Sequence, residues 1–163
     1  MKVRLAEVGN ADLPLIEKWF RSEHVIRFWG EPAKNIRLLR EPEPETRRAI
    51  IEADGRKVGL ILWQHPTRAE LDGAGLHEIP TSVIDMDVMV GEQETTGKGV
   101  GTAAIRLVAE KALSDPDVPF VIGETSIWNT ASIRAFEKAG FRREREFDDP
   151  ESGRCVLMVR GRD

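Results

Sequence analysis

The chain has 163 residues, 40% of them hydrophobic, and a formal net charge of -4 at pH 7. Its length and composition predict one globular domain over 1–163, and the mild negative charge argues against a nucleic-acid-binding protein and suits a cationic small-molecule partner. No apolar run approaches the roughly 18 residues that a membrane helix needs and no signal peptide is evident, so a cytoplasmic protein without membrane contact is expected.

The N-terminal part predicts one strand and two helical segments. Residues 2–8 alternate and predict a strand, and Asn10 is the predicted N-cap of a helix whose apolar face comprises Leu13, Ile16, Trp19 and Phe20. Residues 24–30 predict a short second helix or turn. Residues 32–45 are rich in Pro, Arg and Glu and predict a long connection.

The middle of the chain predicts a hairpin and a further strand. Residues 47–53 and 57–64 predict strands joined at Asp54-Gly55, a dipeptide typical of tight hairpin turns. The polar residues 65–80 predict a second long connection, and residues 82–90 predict the next strand.

A glycine-rich run separates this strand from a predicted helix over 103–113. The run is Thr96-Gly97-Lys98-Gly99-Val100-Gly101-Thr102. Alternating glycines let the backbone approach a ligand closely, and the free N–H groups at a helix start form an anion site, so the run predicts a bound pyrophosphate. Because Lys98 is followed by Gly99 and no early βαβ unit surrounds the run, it fits neither a P-loop nor a dinucleotide fingerprint.

The C-terminal part predicts a strand, a helix and a closing hairpin. Residues 119–125 predict a short buried strand. Asn129 caps a predicted helix that runs to Lys138, with Gly140 as its left-handed C-terminal residue. The hairpin strands are predicted over 141–147 and 154–159. The order of elements predicts an α+β domain with a mixed, mostly antiparallel central sheet.

Two motifs in this order resemble those of the GNAT acyl-CoA N-acyltransferase superfamily. Residues 96–101 are similar to its Arg/Gln-x-x-Gly-x-Gly/Ala pyrophosphate loop, and residues 129–141 to its Asn-x-x-Ala/Ser-x-x-x-Tyr-x-Lys-x-Gly-Phe helix. The resemblance implies the GNAT fold and acetyl-CoA as the donor. Two departures stand out, because Thr96 replaces the usual Arg or Gln, and Phe136 replaces a tyrosine that protonates the leaving thiolate in many relatives. The chain has no tyrosine at all.

Along its whole length the chain most resembles the aminoglycoside 6′-N-acetyltransferases. The residues that carry this resemblance are His24, Phe28-Trp29-Gly30, Gly59, Asp87, Gly97-Lys98-Gly99, the run 114–118 and the run 137–141. It implies direct acetyl transfer to an aminoglycoside 6′-amine in a ternary complex, conferring antibiotic resistance, by a monomer or homodimer. Two alternatives stay open: acetylation of a siderophore lysine or protein N-terminus, and a non-catalytic acyl-CoA-binding module.

Three carboxylates are the main candidates for the acceptor site. The resemblance makes Asp87 the residue that recognises the amine, with a possible role as general base. A carboxylate in an apolar strand is costly without a partner or a role, and Asp85, two residues earlier, lies on the same face. Two close carboxylates suit proton abstraction and a polycation. The resemblance puts Glu124 in the place of a second pocket aspartate. The alternatives are salt bridges at the strand edge for Asp85 and Asp87, and a solvated strand end for Glu124.

Aromatic and acidic residues are further candidates for binding the acceptor. Trp29 offers a face for a sugar ring or a cation, with a buried core position as the alternative. His24 either shapes the acceptor wall or makes a structural hydrogen bond. The acidic residues of the 65–80 connection form either a negative lid over the substrate or a solvated loop; they are Glu70, Asp72 and Glu78.

The resemblance also implies contacts with acetyl-CoA. Main-chain N–H groups near Met89 and Val90 would bind the oxyanion, and Asn129 would contact the pantetheine arm. Arg134 would reach a phosphate or lie exposed on its helix. The other implied contacts are Thr96, Gly97, Lys98, Gly99, Val100, Gly101, Thr102 and Phe136.

Cys155 is the only cysteine, and it lies in an apolar run that predicts a packed strand. An internal disulfide is therefore excluded, and Cys155 is predicted to pack and not to act as a nucleophile. No His/Cys cluster has metal-ligand spacing, so no metal site is expected.

Overall fold

One mixed sheet organises the chain in the computed structural model, which describes residues 1–163. Its seven strands lie in the order β1-β2-β3-β4-β5-β7-β6. They are β1 (Val3–Ala6), β2 (Arg47–Ala53), β3 (Arg56–Gln64), β4 (Ile84–Val90), β5 (Val121–Ser126), β6 (Arg142–Asp149) and β7 (Gly153–Arg160). Strands β4 and β5 are parallel, and every other neighbouring pair is antiparallel. The predicted α+β class with a mostly antiparallel sheet is confirmed.

Helices cover both faces of the sheet. They are α1 (Leu13–Phe20), α2 (Glu23–Trp29), α3 (Pro32–Arg40), α4 (Arg68–Gly73), α5 (Val100–Leu113) and α6 (Thr130–Lys138). The main core lies between the sheet and α5 and α6, and contains Met86 and Phe136. On the opposite face, one cluster packs α1–α3 around Trp19, and another packs α4 around Leu71. None of the helices combines the length and apolar character needed to cross a membrane.

Two segments predicted as long connections contain helices, so both predictions are wrong. Within 32–45, Pro32 begins α3, a position that its fixed φ suits, and Leu39 is buried against α1. Within 65–80, Thr67 and Glu70 form a capping box that starts α4, each side chain accepting from the other's backbone N–H at 3.1 Å. A few buried anchors fold these polar segments into short helices.

Of the capping and turn residues predicted for the other elements, only Asn10 does not have the predicted role. The prediction that Asn10 caps the first helix is wrong: a 3-10 turn over 10–12 precedes α1, and the Asp12 carboxylate accepts from the Gly9 N–H at 2.8 Å. The hairpin at Asp54-Gly55 is confirmed, with φ angles of 50° and 81°. The Asn129 cap and the left-handed Gly140 are confirmed too.

The approach of α1 to the end of β4 requires a glycine at position 91. A Cβ at Gly91 would lie 2.2 Å from ring atoms of Trp19, which is buried and donates from Nε1 to Glu92 at 2.9 Å. We expect Gly91→Ala to lower the free energy of unfolding by about 2–3 kcal/mol, because the tryptophan ring must shift in its cluster. Urea denaturation measures this loss.

The matched control for this substitution is Gly73→Ala. No atom lies within 4 Å of the Cβ position of Gly73, so the free energy of unfolding is expected to change by at most about 0.5 kcal/mol. Equal losses for both variants would contradict the packing explanation.

Candidate active site

The sheet opens between β4 and β5. These strands pair at Ile84–Val121, Asp85–Ile122 and Met86–Gly123 and then diverge. Asp87 and Glu124 are the first residues beyond the last pair. Residues at the same level of parallel strands point to the same face, so the two carboxyls face one side of the sheet from opposite edges of the opening.

A cavity of about 1330 Å³ extends through this opening. Phe136 and Met86 line it from the α5–α6 side, while Asp87, Glu124 and Cys155 line it from the opposite face. Segments from α2, α3, α4 and the β6–β7 turn complete its walls. A cavity open to both faces can bring ligands from the two sides of the sheet into contact at the gap.

Four carboxyl groups form what we call the acidic cluster: Asp85, Asp87, Glu124 and Glu70. None of them takes part in an ion pair. The Oδ1 atom of Asp85 is buried and has no hydrogen-bond partner. The strand-edge salt bridges considered for Asp85 and Asp87 are therefore absent, and the cluster is an uncompensated negative site suited to a cation.

Burial and mutual repulsion raise the pKa values in the acidic cluster. Burial and then the charge of Glu70 raise the pKa of Asp87 to about 6. Burial and then the charges of Asp87, Asp149 and Glu70 raise the pKa of Glu124 to about 7. Burial and then Asp87 and Glu124 raise the pKa of Asp85 well above its usual range. Proton exchange near neutral pH is what acid–base chemistry requires.

These raised pKa values predict that the free energy of unfolding falls as the pH rises. Between about pH 4, where carboxyls ionise in the unfolded chain, and pH 7, where Glu124 ionises in the folded protein, the folded protein binds more protons than the unfolded chain. We expect Asp85→Asn to raise the free energy of unfolding at about pH 8, where a buried carboxyl with a raised pKa costs stability relative to the unfolded chain, and to raise it less at about pH 4. Urea denaturation at both pH values measures the difference.

Asp72→Asn is the matched control for this prediction. Asp72 is exposed, and its hydrogen bond with His77 and the nearby Arg68 lower its pKa. Its substitution is expected to give no stabilisation at about pH 8. A gain from Asp72→Asn, or none from Asp85→Asn, would contradict the electrostatic account of the acidic cluster.

Two helices begin beside the opening, at the ends of β4 and β5. Helix α5 follows the glycine-rich run, in which Gly97 and Gly99 have φ angles of 76° and 84°. No atom lies within 4 Å of the Cβ that either would carry, so their backbone is open to a ligand. Helix α6 begins after Asn129, whose side chain accepts from the Ser132 N–H at 3.2 Å. The free N–H groups at the start of α5 fit a pyrophosphate.

The cavity brings together some of the predicted site residues and leaves out others. It is lined by Trp29, Asp87, Glu124, Asn129 and Phe136. Asp72, Asp85 and His24 are not among its lining residues. The Nε2 atom of His24 donates to the Val90 carbonyl oxygen at 3.0 Å, a structural hydrogen bond of the kind weighed as the alternative.

The predicted contacts with acetyl-CoA are spread around the opening. Met89 is buried against α1, and beyond Met86 the main chain of β4 has no strand partner on the β5 side. Lys98 and Arg134 are exposed and unpaired. Val100 is buried, and the Thr96 hydroxyl donates to the Gln93 carbonyl at 2.7 Å.

Three further residues line the cavity. Glu70 is one of the acidic residues for which the sequence left open a lid over the substrate or a solvated loop, and it lines the cavity. Trp128 also lines the cavity although it is 72% exposed. Cys155 is buried as predicted, and burial is the main cause that raises the pKa of its thiol to about 11.

Comparison of the sequence with known proteins identifies a matching family and several relatives. Residues 9–149 match the family described as the acetyltransferase (GNAT) domain. The chain is 26% identical over 169 residues, covering 98% of this chain and 83% of the relative, to "Aminoglycoside N(6')-acetyltransferase type 1" of Klebsiella pneumoniae. It is 34% identical over 85 residues, covering 52% of this chain and 78% of the relative, to "Kanamycin resistance protein" of Rhizobium radiobacter.

Solved structures of aminoglycoside acetyltransferases are similar to this structure over nearly the whole chain. The structure of aminoglycoside acetyltransferase AAC(6')-Ib with coenzyme A has a TM-score of 0.83 and 26% identity, covering 99% of this chain and 95% of that one. The AAC(6')-Ib structure with coenzyme A and kanamycin has a TM-score of 0.82 and 25% identity, covering 99% and 95%.

Proposed function

This chain belongs to the GNAT acetyltransferase family, and from that premise we propose that it transfers the acetyl group of acetyl-CoA to the 6′-amine of aminoglycosides. The acceptor class is proposed from the acidic cluster, three of whose carboxyls, those of Asp87, Glu124 and Glu70, line the cavity without a basic partner. A polycationic amine supplies the missing positive charge. The names of the relatives support the same acceptor.

The donor is proposed to bind on the α5–α6 side of the opening. The N–H groups of Gly97, Gly99 and the first turn of α5 would hold the pyrophosphate. The exposed Lys98 and Arg134 would balance its charge, with Thr96, Gly101 and Thr102 shaping the loop and helix start. Asn129 and Phe136 would flank the pantetheine arm, and main-chain N–H groups near Met89 and Val90 would support the oxyanion.

The acceptor is proposed to enter from the opposite face. Asp87 would orient the reacting amine and take its proton, which leaves a neutral nitrogen to attack the thioester carbonyl directly. Glu70 lines the same cavity and would hold a further ammonium group, and Trp29 offers an aromatic face to a sugar ring. The two substrates meet at the opening, so no acyl-enzyme is required.

Thiol release from acetyl-CoA tests this function with three acceptors: kanamycin, a lysine-derived siderophore amine and a peptide with a free N-terminus. We expect rapid thiol release with kanamycin and little with the other two, because both carry fewer positive charges. Faster thiol release with the siderophore amine or the peptide would contradict the aminoglycoside as acceptor and favour that amine instead. Acetyl-CoA binding without release for any amine would favour a non-catalytic acyl-CoA-binding module.

A further inference from the structure

Acetyl transfer leaves a CoA thiolate that must gain a proton, and the chain contains no phenol to supply it. The sequence has no tyrosine, and Phe136, which lines the cavity near the opening, has no hydroxyl group. We propose that Glu124 is the general acid that protonates the departing thiolate. This inference rests on the proposed function and assigns a new role to one carboxyl of the same site.

The position of Glu124 supports this role. It is the first residue of β5 beyond the Met86–Gly123 pair, and Asp87 is its counterpart on β4. The two carboxyls therefore lie on opposite sides of the gap through which the cavity joins the two faces of the sheet. The attacking nitrogen and the departing sulfur are bonded to the same carbon during the transfer, so a carboxyl that lines the acceptor side of the gap lies near both atoms.

The thiol and hydroxyl donors of the cavity are weaker acids, and its one imidazole, His65, bonds through Nδ1 to the Val83 carbonyl oxygen. The Cys155 thiol has a pKa of about 11, so transfer to a CoA thiolate, whose conjugate acid has a pKa near the ~8.5 of an ordinary thiol, is unfavourable. The hydroxyls of Thr125, Ser126 and Ser132 are weaker acids still. A carboxylic acid at Glu124 transfers its proton downhill.

Charged groups around Glu124 keep it protonated near neutral pH. Asp85 and Asp87 face it from β4, Glu70 from α4, Asp149 from β6, and Cys155 from β7. Burial together with this negative surrounding raises the pKa of Glu124 to about 7. No lysine or arginine pairs with it.

Asp87 and Glu124 together accept and supply the protons that move during the transfer. The neutral amine nitrogen forms a bond to the acetyl carbon, and the carbon–sulfur bond breaks with its electron pair on sulfur. The nitrogen gives its proton to the Asp87 carboxylate, and Glu124 gives its proton to sulfur. Transfer from Asp87 back to Glu124 restores both groups. The proton that Asp87 takes earlier from the ammonium ion passes on to solvent before the attack, so Asp87 is a carboxylate again when the carbon–nitrogen bond forms.

The pH dependence of kcat/KM for kanamycin, at saturating acetyl-CoA, tests this role. In the native protein we expect kcat/KM to fall as the pH rises through about 7, because the acid is lost. Glu124→Gln is expected to lower kcat about 10²-fold and to abolish this alkaline fall. Glu124→Asp, which keeps an acid, is expected to retain the fall and recover most of kcat. An unchanged alkaline fall in Glu124→Gln would overturn the proposal in favour of protonation by water.

A titration of the free protein tests the protonation of Glu124 independently of turnover. Carboxyl ¹³C NMR of the free protein is expected to show Glu124 titrating near neutral pH, and titration near pH 4 would overturn the proposal. Glu70→Gln is the matched control, because it removes a charge from the same cluster away from the gap. It is expected to raise the KM for kanamycin and to keep an alkaline fall, which moves to lower pH because the charge of Glu70 helps to raise the pKa of Glu124. Absence of turnover in the native protein would refute the proposed function, whereas turnover with a native alkaline fall in Glu124→Gln refutes only the role of Glu124.

Discussion

Asp87→Asn is expected to lower kcat by about 10²–10⁴-fold, the range that loss of a general base produces. Asparagine keeps the shape of the side chain and removes both the negative charge and the ability to accept a proton. The pKa of Asp87 is about 6, so the native carboxylate is ionised above that pH and ready to take the amine proton. Steady-state thiol release with kanamycin, at about pH 7.5, measures the loss.

The stability of Asp87→Asn and a surface control variant show whether the loss of kcat is a loss of catalysis. Because Asp87 carries an unfavourable charge at neutral pH, Asp87→Asn is expected to fold with undiminished free energy of unfolding. Asp117→Asn, an exposed substitution in the turn before β5, is expected to leave kcat and stability unchanged. A kcat within about threefold of native for Asp87→Asn would remove Asp87 from the mechanism.

Gly99→Ala is expected to raise the KM for acetyl-CoA about tenfold. Gly99 has a φ of 84°, where a side chain costs about 1–2 kcal/mol, so the loop is expected to shift its N–H groups away from the anion position at the start of α5. A loss of about 1.4 kcal/mol in pyrophosphate binding is a tenfold change in affinity. The KM for kanamycin is expected to stay near its native value, because the acceptor binds on the other face.

Gly75→Ala carries the same backbone strain at a different place. Gly75 has a φ of 73°, has nothing within 4 Å of its Cβ position, and follows α4. Its free energy of unfolding is expected to fall by about 1–2 kcal/mol, as for Gly99→Ala, with no change in the KM for acetyl-CoA. Equal increases in that KM for both variants would mean that general destabilisation, and not the loop, sets donor binding.

Local signals were enough to predict most of the sheet and both helices of the donor side. The Asp54-Gly55 turn, the Asn129 cap and Gly140 each depend on the backbone of a few neighbouring residues, and all three have the expected conformation. Helices α3 and α4 were missed because their stability comes from distant packing. Leu39 is buried against α1, and Leu71 is buried in the cluster that contains Ile122 of β5.

Only part of the acidic cluster could be predicted from the sequence. Alternation along β4 correctly puts Asp85 and Asp87 on one face. That Glu124 faces Asp87 depends on the parallel register Met86–Gly123, which joins strands far apart in the chain. The sequence left open whether Glu70 belongs to an acidic lid or to a solvated loop, and it lines the cavity because α4 packs over this face.

Thiol release with a pair of matched acceptors tests acetyl transfer to one amine of an aminoglycoside most directly. Purified protein and acetyl-CoA are mixed with kanamycin or with an analogue that carries a hydroxyl in place of the 6′-amine. We predict rapid thiol release with kanamycin and none with the hydroxyl analogue, which would fix both the reaction and its position. Equal release with both acceptors would contradict transfer to the 6′-amine, and no release with either, despite clear acetyl-CoA binding, would contradict the aminoglycoside function itself.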